Sequence, residues 1–259
     1  MYYRSGFECG WRNGYGLGID KMENKAAVIQ FKADRGKVFS NLAGILSLCR
    51  KAAENKAKLI VLPEMCLTGY IWPNREDIFE LTEKANGPTF EALSAFCEKN
   101  QIYLAYGFAE KDVDLLYNSQ NLIGPNGKLL TTYRKVHLFE MDEFWAHPGD
   151  RGFQTIDTDI GRLGMGICMD LNFDDFVDFH IKQNTDYLLF STNWLEEGLD
   201  VHSYWKMRLT GFENTVLMAN TYGTEFNIEF CGRSAVFRNG DFTAETEKTG
   251  NQIILDNCC

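Results

Sequence analysis

The sequence predicts a single α/β domain in which a mixed β-sheet framework carries helices on its outside. Three observations predict it. Short apolar runs of strand type alternate with amphipathic stretches of helical period; a Pro- and Asn-Gly-containing turn joins two further strand-like segments; and no Pro/Gly/Ser-rich linker divides residues 24–259. At 259 residues, 45% of them hydrophobic, the chain is of a size to bury one substantial core.

Ordered structure is expected to begin at Ala26–Phe31, a short apolar run suited to a buried strand. Residues 1–23, rich in Gly and aromatics without a sustained period, read as an N-terminal extension: a flexible arm, an added leader, or an upstream start preceding Met22. From Val38 to Ala53 the residues Val38, Leu42, Ile45, Leu46 and Cys49 recur at helical spacing. Leu59–Leu62, closed by Pro63, is a strand, and the three segments together make a β-α-β unit. The alternation continues with a helix at Thr89–Lys99, whose face carries Phe90, Leu93, Phe96 and Cys97, and a strand at Ile102–Phe108. Asn121–Ile123 and Leu129–Tyr133 flank Gly124-Pro125-Asn126-Gly127 and form a hairpin. Strands at Leu163–Cys168 and Tyr187–Ser191, with helices at Phe173–Lys182 and His202–Asn214, complete the expected elements.

A net charge of −10 and a pI near 5.0 argue against a nucleic-acid surface, and no segment reaches the apolar length of a membrane span. The first residues lack the apolar core of a secretory signal, and the eight cysteines include no C-x-x-C pair. A cytoplasmic protein with reduced thiols follows. The adjacent Cys258 and Cys259 carry no assigned function. No metal is expected, since no H-x-x-x-H, H-E-x-x-H or paired-cysteine spacing occurs, and no cofactor, since no glycine-rich phosphate loop occurs.

Two of the apolar strands run into residues of catalytic type, Glu64 after Leu59-Ile60-Val61-Leu62-Pro63 and Cys168 after Leu163-Gly164-Met165-Gly166-Ile167. Carboxyl ends of strands are where α/β sheets place ligand sites. Taken singly, a buried Cys is more often a packing residue than a nucleophile, and a Glu or Lys more often a solvated charge. A third segment supplies company: Tyr133-Arg134-Lys135-Val136-His137-Leu138-Phe139, followed by Glu140, Asp142, Glu143 and His147-Pro148-Gly149.

In this order, L-P-E, Y-R-K-x-H-L-F and G-x-C-x-D resemble the carbon-nitrogen hydrolase (nitrilase-like) superfamily, in its amidase-like branch. The resemblance runs from residue 24 to 256, with further matches at Thr68-Gly69-Tyr70, Gly87-Pro88-Thr89, Tyr117-Asn118, Trp194, Arg208, Glu213-Asn214, Asn220 and Gly232-Arg233-Ser234. It implies a four-layer α-β-β-α sandwich that pairs into a homodimer or larger homo-oligomer. It also implies a hydrolase acting on a small-molecule amide, with Cys168 as nucleophile, Glu64 as general base and Lys135 stabilising thiolate and oxyanion. By the same resemblance the Met169 backbone N–H is expected to be the second oxyanion donor, and Tyr70, Asn172 and Trp194 are expected to be substrate contacts. Glu143, eight positions after Lys135, is expected to orient Lys135 and substrate, with Glu140 and Asp142 as near competitors.

His137 is expected to be structural, which makes a Cys-His-Asp mechanism the weaker alternative. Asn172 stands where many relatives acting on carboxylate-bearing substrates carry Arg. Together with Asp170, Asp174 and Asp175 this points to a neutral or cationic amide. A nitrilase, an N-carbamoyl hydrolase and a catalytically silent binding protein on the same fold are the alternative readings.

Overall fold

The computed structural model describes residues 25–257, so the expected extension over 1–23 and the Cys258–Cys259 pair lie outside the described residues. The first half alternates strand and helix as expected: β1 (Lys25–Gln30), α1 (Val38–Glu54) and β2 (Ala57–Val61), with β1 and β2 parallel. A short α2 (Arg75–Phe79) precedes α3 (Pro88–Asn100), which leads into β3 (Tyr103–Asp112), parallel to β2. Then β4 (Leu115–Ile123) and β5 (Leu129–Arg134) fold back as an antiparallel meander around the expected turn.

The second half contains β6 (Thr155–Thr158), β7 (Gly161–Ile167), α4 (Asp174–Lys182), β8 (Tyr187–Thr192), α5 (Val201–Arg208) and β9 (Thr215–Asn220). A hairpin of β10 (Tyr222–Glu225) and β11 (Ile228–Cys231) follows, then β12 (Ala235–Arg238), β13 (Asp241–Glu245) and β14 (Gln252–Asp256). Two six-stranded sheets result, ordered β14-β1-β2-β3-β4-β5 and β13-β12-β9-β8-β7-β6. The last strand returns to pair antiparallel with the first, closing one sheet with the end of the chain.

The strands read as apolar runs because both faces of each sheet are covered. In β1, Ala27 and Ile29 pack with Ile45, Cys49, Leu93 and Cys97 of α1 and α3. The alternate residues Ala26 and Val28 face the other sheet, where Val61, Ala105 and Leu122 meet Met165, Ile167, Leu189 and Leu217. On the far side Phe176, Val177 and Trp205 of α4 and α5 cover Leu188, Phe190, Val216 and Met218. Each such fully buried large apolar side chain contributes about 1.5–3 kcal/mol. The result is the expected four-layer α-β-β-α sandwich in one domain. A polar tie crosses the seam between the sheets: Gln120 Nε2 donates to Ser191 Oγ at 2.6 Å, and Ser191 Oγ donates to the Leu62 carbonyl at 2.7 Å.

Several boundaries differ from expectation: β3 runs on to Asp112 and β4 begins at Leu115, and two further ones have a local cause. The last helix stops at Arg208 rather than Asn214, because the chain turns through Gly211 at φ +87° and Phe212 N bonds back to the Leu209 carbonyl. The strand expected to end in Cys168 ends at Ile167, and Cys168–Asn172 forms a 3₁₀ turn. Among the described residues no helix is long and apolar enough to cross a membrane.

Candidate active site

Glu64 follows β2 by three residues. The pairing of that strand with β3 continues past its end: Leu62 N donates to the Ala105 carbonyl at 2.9 Å, and Gly107 N to the Pro63 carbonyl at 3.2 Å. A Cβ on Gly107 would stand 2.6 Å from Glu64 Cα and 2.7 Å from Met65 N, so this close approach requires glycine. The Glu64 carboxylate accepts from three donors: Lys135 Nζ at 2.8 Å and Asn118 Nδ2 at 2.7 Å on Oε1, and Asn193 N at 2.8 Å on Oε2.

Lys135 lies just past β5. Its neighbour Arg134 turns to the other face, where it is buried against Glu110 at 2.7 Å and stacked over the Tyr117 ring, instead of standing in solvent. Lys135 Nζ bridges Glu64 and Asp142, the latter at 2.6 Å from Oδ2. Asn118 Nδ2 also reaches Asp142 Oδ1 at 2.9 Å, which closes a ring of four side chains. Asp142 is aimed inward by its own turn, in which Phe139 N donates to Oδ2 at 3.1 Å. Glu143, the next residue, is exposed. Among the described residues it is Asp142, and not the expected Glu143, that contacts Lys135, since consecutive residues of a helical turn point in different directions. The other near competitor, Glu140, is exposed as well.

Glu64, Lys135 and Asp142 are each at most 1% exposed, so their charges act on one another with little screening. Burial alone depresses the Lys135 ammonium, yet Asp142 and Glu64 outweigh it and hold that ammonium well above the ordinary lysine value. Burial pushes Glu64 above the usual carboxylate range, with Lys135 opposing and Asp142 adding to the rise. One ammonium thus compensates two carboxylates, and Glu64 is a carboxylate with spare proton affinity.

Cys168 enters from the other sheet. It adopts φ +42°, the left-handed region that costs a non-glycine residue about 1 kcal/mol or more. Asp170 holds this turn by accepting from Ile167 N at 3.0 Å, His137 N at 2.9 Å and Tyr133 OH at 2.7 Å. His137 stacks on Phe173 with centroids 3.8 Å apart, a structural position as expected. Burial, then the Glu64 charge, push the Cys168 thiol up, while Lys135 pulls it down.

A pocket of about 220 Å³ opens over Cys168. The expected contacts Tyr70, Met169, Asn172 and Trp194 all line it, joined by Phe139, Asn193, Leu195 and Glu197. Tyr70 is fixed from β10, where the Glu225 carboxylate accepts from Tyr70 N at 3.0 Å and Ile71 N at 2.8 Å. Burial, then the charges of Asp142 and Glu64, push its hydroxyl well above the ordinary tyrosine value. Sequence reasoning did not single out Asn193, Glu225 or Glu197; Asn118 it had only as part of a matching pair. The carboxylates anticipated around the site point elsewhere: Asp170 into its turn, Asp174 to Arg208 at 2.7 Å and Asp175 to His137 at 3.1 Å. Among the described residues no group of three or more His, Cys, Asp or Glu is placed to hold a metal ion.

The model of the carbon-nitrogen hydrolase family matches residues 25–256, which is nearly the whole of the described chain. The chain belongs to the carbon-nitrogen hydrolase family. That membership bears out the expected enzyme class, a hydrolase of carbon–nitrogen bonds other than peptide bonds. The chain is 31% identical over 215 residues to a nitrilase of Pyrococcus abyssi, covering 82% of this chain and 80% of the relative. It is 30% identical over 257 residues to a protein N-terminal amidase of Schizosaccharomyces pombe, covering 82% and 90%. A crystal structure of an amidase from Nesterenkonia sp. superposes with a TM-score of 0.81 at 21% identity, over 94% of this chain and 93% of that one. This last likeness is one of fold.

Proposed function

We propose that this carbon-nitrogen hydrolase cleaves a small carboxamide through a thioester on Cys168. The observation that carries the reading is the buried Glu64–Lys135–Asp142 cluster, with a carboxylate of raised proton affinity, whose Glu64 and Lys135 charges act on the cysteine at the floor of the pocket. An amide carbonyl is a poor electrophile, so a strong nucleophile and oxyanion stabilisation are both needed. The raised Cys168 pKa supports a thiol that keeps its proton until substrate arrives.

In this reading Glu64 takes the thiol proton as sulfur bonds to the carbonyl carbon. The Lys135 ammonium and the Met169 N–H receive the oxyanion. Glu64 then gives its proton to the departing nitrogen, which leaves as ammonia or an amine and leaves a thioester. Water, deprotonated by Glu64, adds to the thioester; the carboxylic acid departs and the proton returns to sulfur. Asp142 and Asn118 hold Lys135 and Glu64 in position throughout. The pocket lies below the roughly 300 Å³ at which drug-sized ligand sites begin, which supports a compact group at the reacting end.

Cys49, Cys66, Cys97 and Cys231 are free, buried thiols, which supports the reducing, cytoplasmic setting expected from the sequence. Exposed Phe173, Ile181 and Met207 on and beside the outer helices support pairing into at least a dimer, which light scattering measures.

The deciding experiment compares wild type with Cys168→Ala on matched amides, nitriles and N-carbamoyl compounds. Ammonia from the amide in preference to its nitrile, without carbon dioxide release, and loss of turnover in Cys168→Ala, is the expected result. Nitrile preference or carbon dioxide release would move the reading to the neighbouring activities. An inert Cys168 and no turnover would favour a binding protein.

A further inference from the structure

The pocket over Cys168 is lined by one carboxylate and by no Lys, Arg or His. That carboxylate is Glu197, in the loop between β8 and α5. Its neighbour Glu196 is fully engaged: its N donates to the Glu229 carbonyl at 2.8 Å, its Oε1 accepts from Gly198 N at 3.0 Å, and its Oε2 pairs with Lys248 at 2.7 Å. These bonds clamp the turn, where Gly198 takes φ +73°, and set Glu197 at the pocket. Among the described residues the Glu197 carboxylate makes no hydrogen bond or ion pair. Asn172 offers little to an anion, since its Oδ1 accepts from Tyr204 OH at 2.7 Å and its Nδ2 is turned onto Met169 Sδ at 3.0 Å. The aromatic rings of Tyr70, Phe139 and Trp194 complete a wall that suits a cation.

We propose that Glu197 is a specificity-determining residue that selects carboxamides bearing an ammonium group and repels those bearing a carboxylate. The inference rests on the amidase reading of the site and names its substrate class. An unpaired carboxylate beside a small pocket attracts one sign of charge and disfavours the other, so selection acts in both directions. The ammonium belongs either to a free amino-amide or to the N-terminus of a peptide whose side chain carries the amide.

The test uses 4-aminobutyramide, butyramide and succinamate, with an N-terminal Asn peptide and its N-acetylated form as a second arm. Turnover is measured with wild type and Glu197→Gln, and binding by calorimetry on Cys168→Ala with and without Glu197→Gln. The expected kcat/KM for 4-aminobutyramide exceeds that for butyramide by about five- to tenfold, carried in KM and weakened by salt. Succinamate ranks last. Glu197→Gln brings the cationic and neutral members within about twofold of each other, and Glu197→Arg turns the ranking toward succinamate. A larger gain for the free peptide N-terminus than for 4-aminobutyramide identifies the peptide as source. Equal handling of cationic and neutral amides, or a preference unmoved by Glu197→Gln, overturns the inference while leaving the hydrolase standing. Absence of all turnover in wild type overturns the hydrolase reading, and the calorimetric ranking still decides for or against Glu197.

Discussion

Asp142 Oδ2 stands 2.6 Å from Lys135 Nζ, closer than any other oxygen that Lys135 contacts. Asp142→Asn removes the charge that opposes burial of this ammonium and is expected to lower kcat by about 10²-fold or more, whereas Glu143→Gln stays within about twofold. Steady-state ammonia release on a common amide checks both. Equal losses in the two variants would return the role to Glu143.

In the proposed mechanism Glu64 is the base, a part it can play only when ionised, and burial raises the pH at which it becomes so. A raised carboxyl pKa keeps the base protonated and idle further up the pH scale. The acid limb of kcat/KM is therefore expected above the usual carboxylate range, and Glu64→Gln loses both activity and limb. A pH–rate profile with its acid midpoint at or below the ordinary glutamate value would contradict this.

Gly107→Ala pushes a methyl group to 2.6 Å from Glu64 Cα and 2.7 Å from Met65 N and the Pro63 carbonyl, backbone contacts that no rotamer relieves. Overpacking of this kind costs about 1–3 kcal/mol, and here the displaced atoms carry the base. Activity should fall by more than the loss of folded protein explains, read as specific activity against the thermal unfolding midpoint.

His180 is buried between Thr185 and the Met165 carbonyl, and burial lowers its pKa from 6.5 to about 4. The folded state thus holds it neutral, while the unfolded chain takes up its proton near pH 6.5. The associated stability is complete above pH 6.5 and is lost as pH falls toward about 4, amounting to about 3 kcal/mol once His180 is charged. Unfolding midpoints across that window should drop in wild type and flatten in His180→Gln; equal slopes would refute the assignment.

Much of this molecule was legible in the sequence because its strands are covered on both faces and therefore read as apolar runs. Leu59–Leu62 and Leu163–Ile167 marked where the chain would deliver Glu64 and Cys168, and the ordered motifs placed Lys135 beside them. The short strands from Thr215 onward were not visible, since segments such as Ala235–Arg238 are too brief to establish a period. Asp142 and Glu143 are neighbours in a 3₁₀ turn, and only the orientation of that turn tells which one faces Lys135. Asn118 depends on the register of β4 against β5, and Glu197 on a loop anchored by Lys248 from a distant segment. Neither relationship is a local property of the chain.

The tie of Gln120, Ser191 and Leu62 has a geometric companion in the site. Leu62 precedes Glu64 by two residues, Ser191 precedes Asn193 by two, and Gln120 follows Asn118 by two. Along extended chain an interval of two returns to the same side, so the tie and the catalytic cluster are successive rungs of one ladder spanning both layers. Slippage of either layer by one residue, about 3.3 Å, would carry Asn193 N out of reach of Glu64 while leaving most apolar contacts available. Turnover in this enzyme then works as a vernier: it reports the mutual alignment of two otherwise greasy surfaces far more finely than stability does.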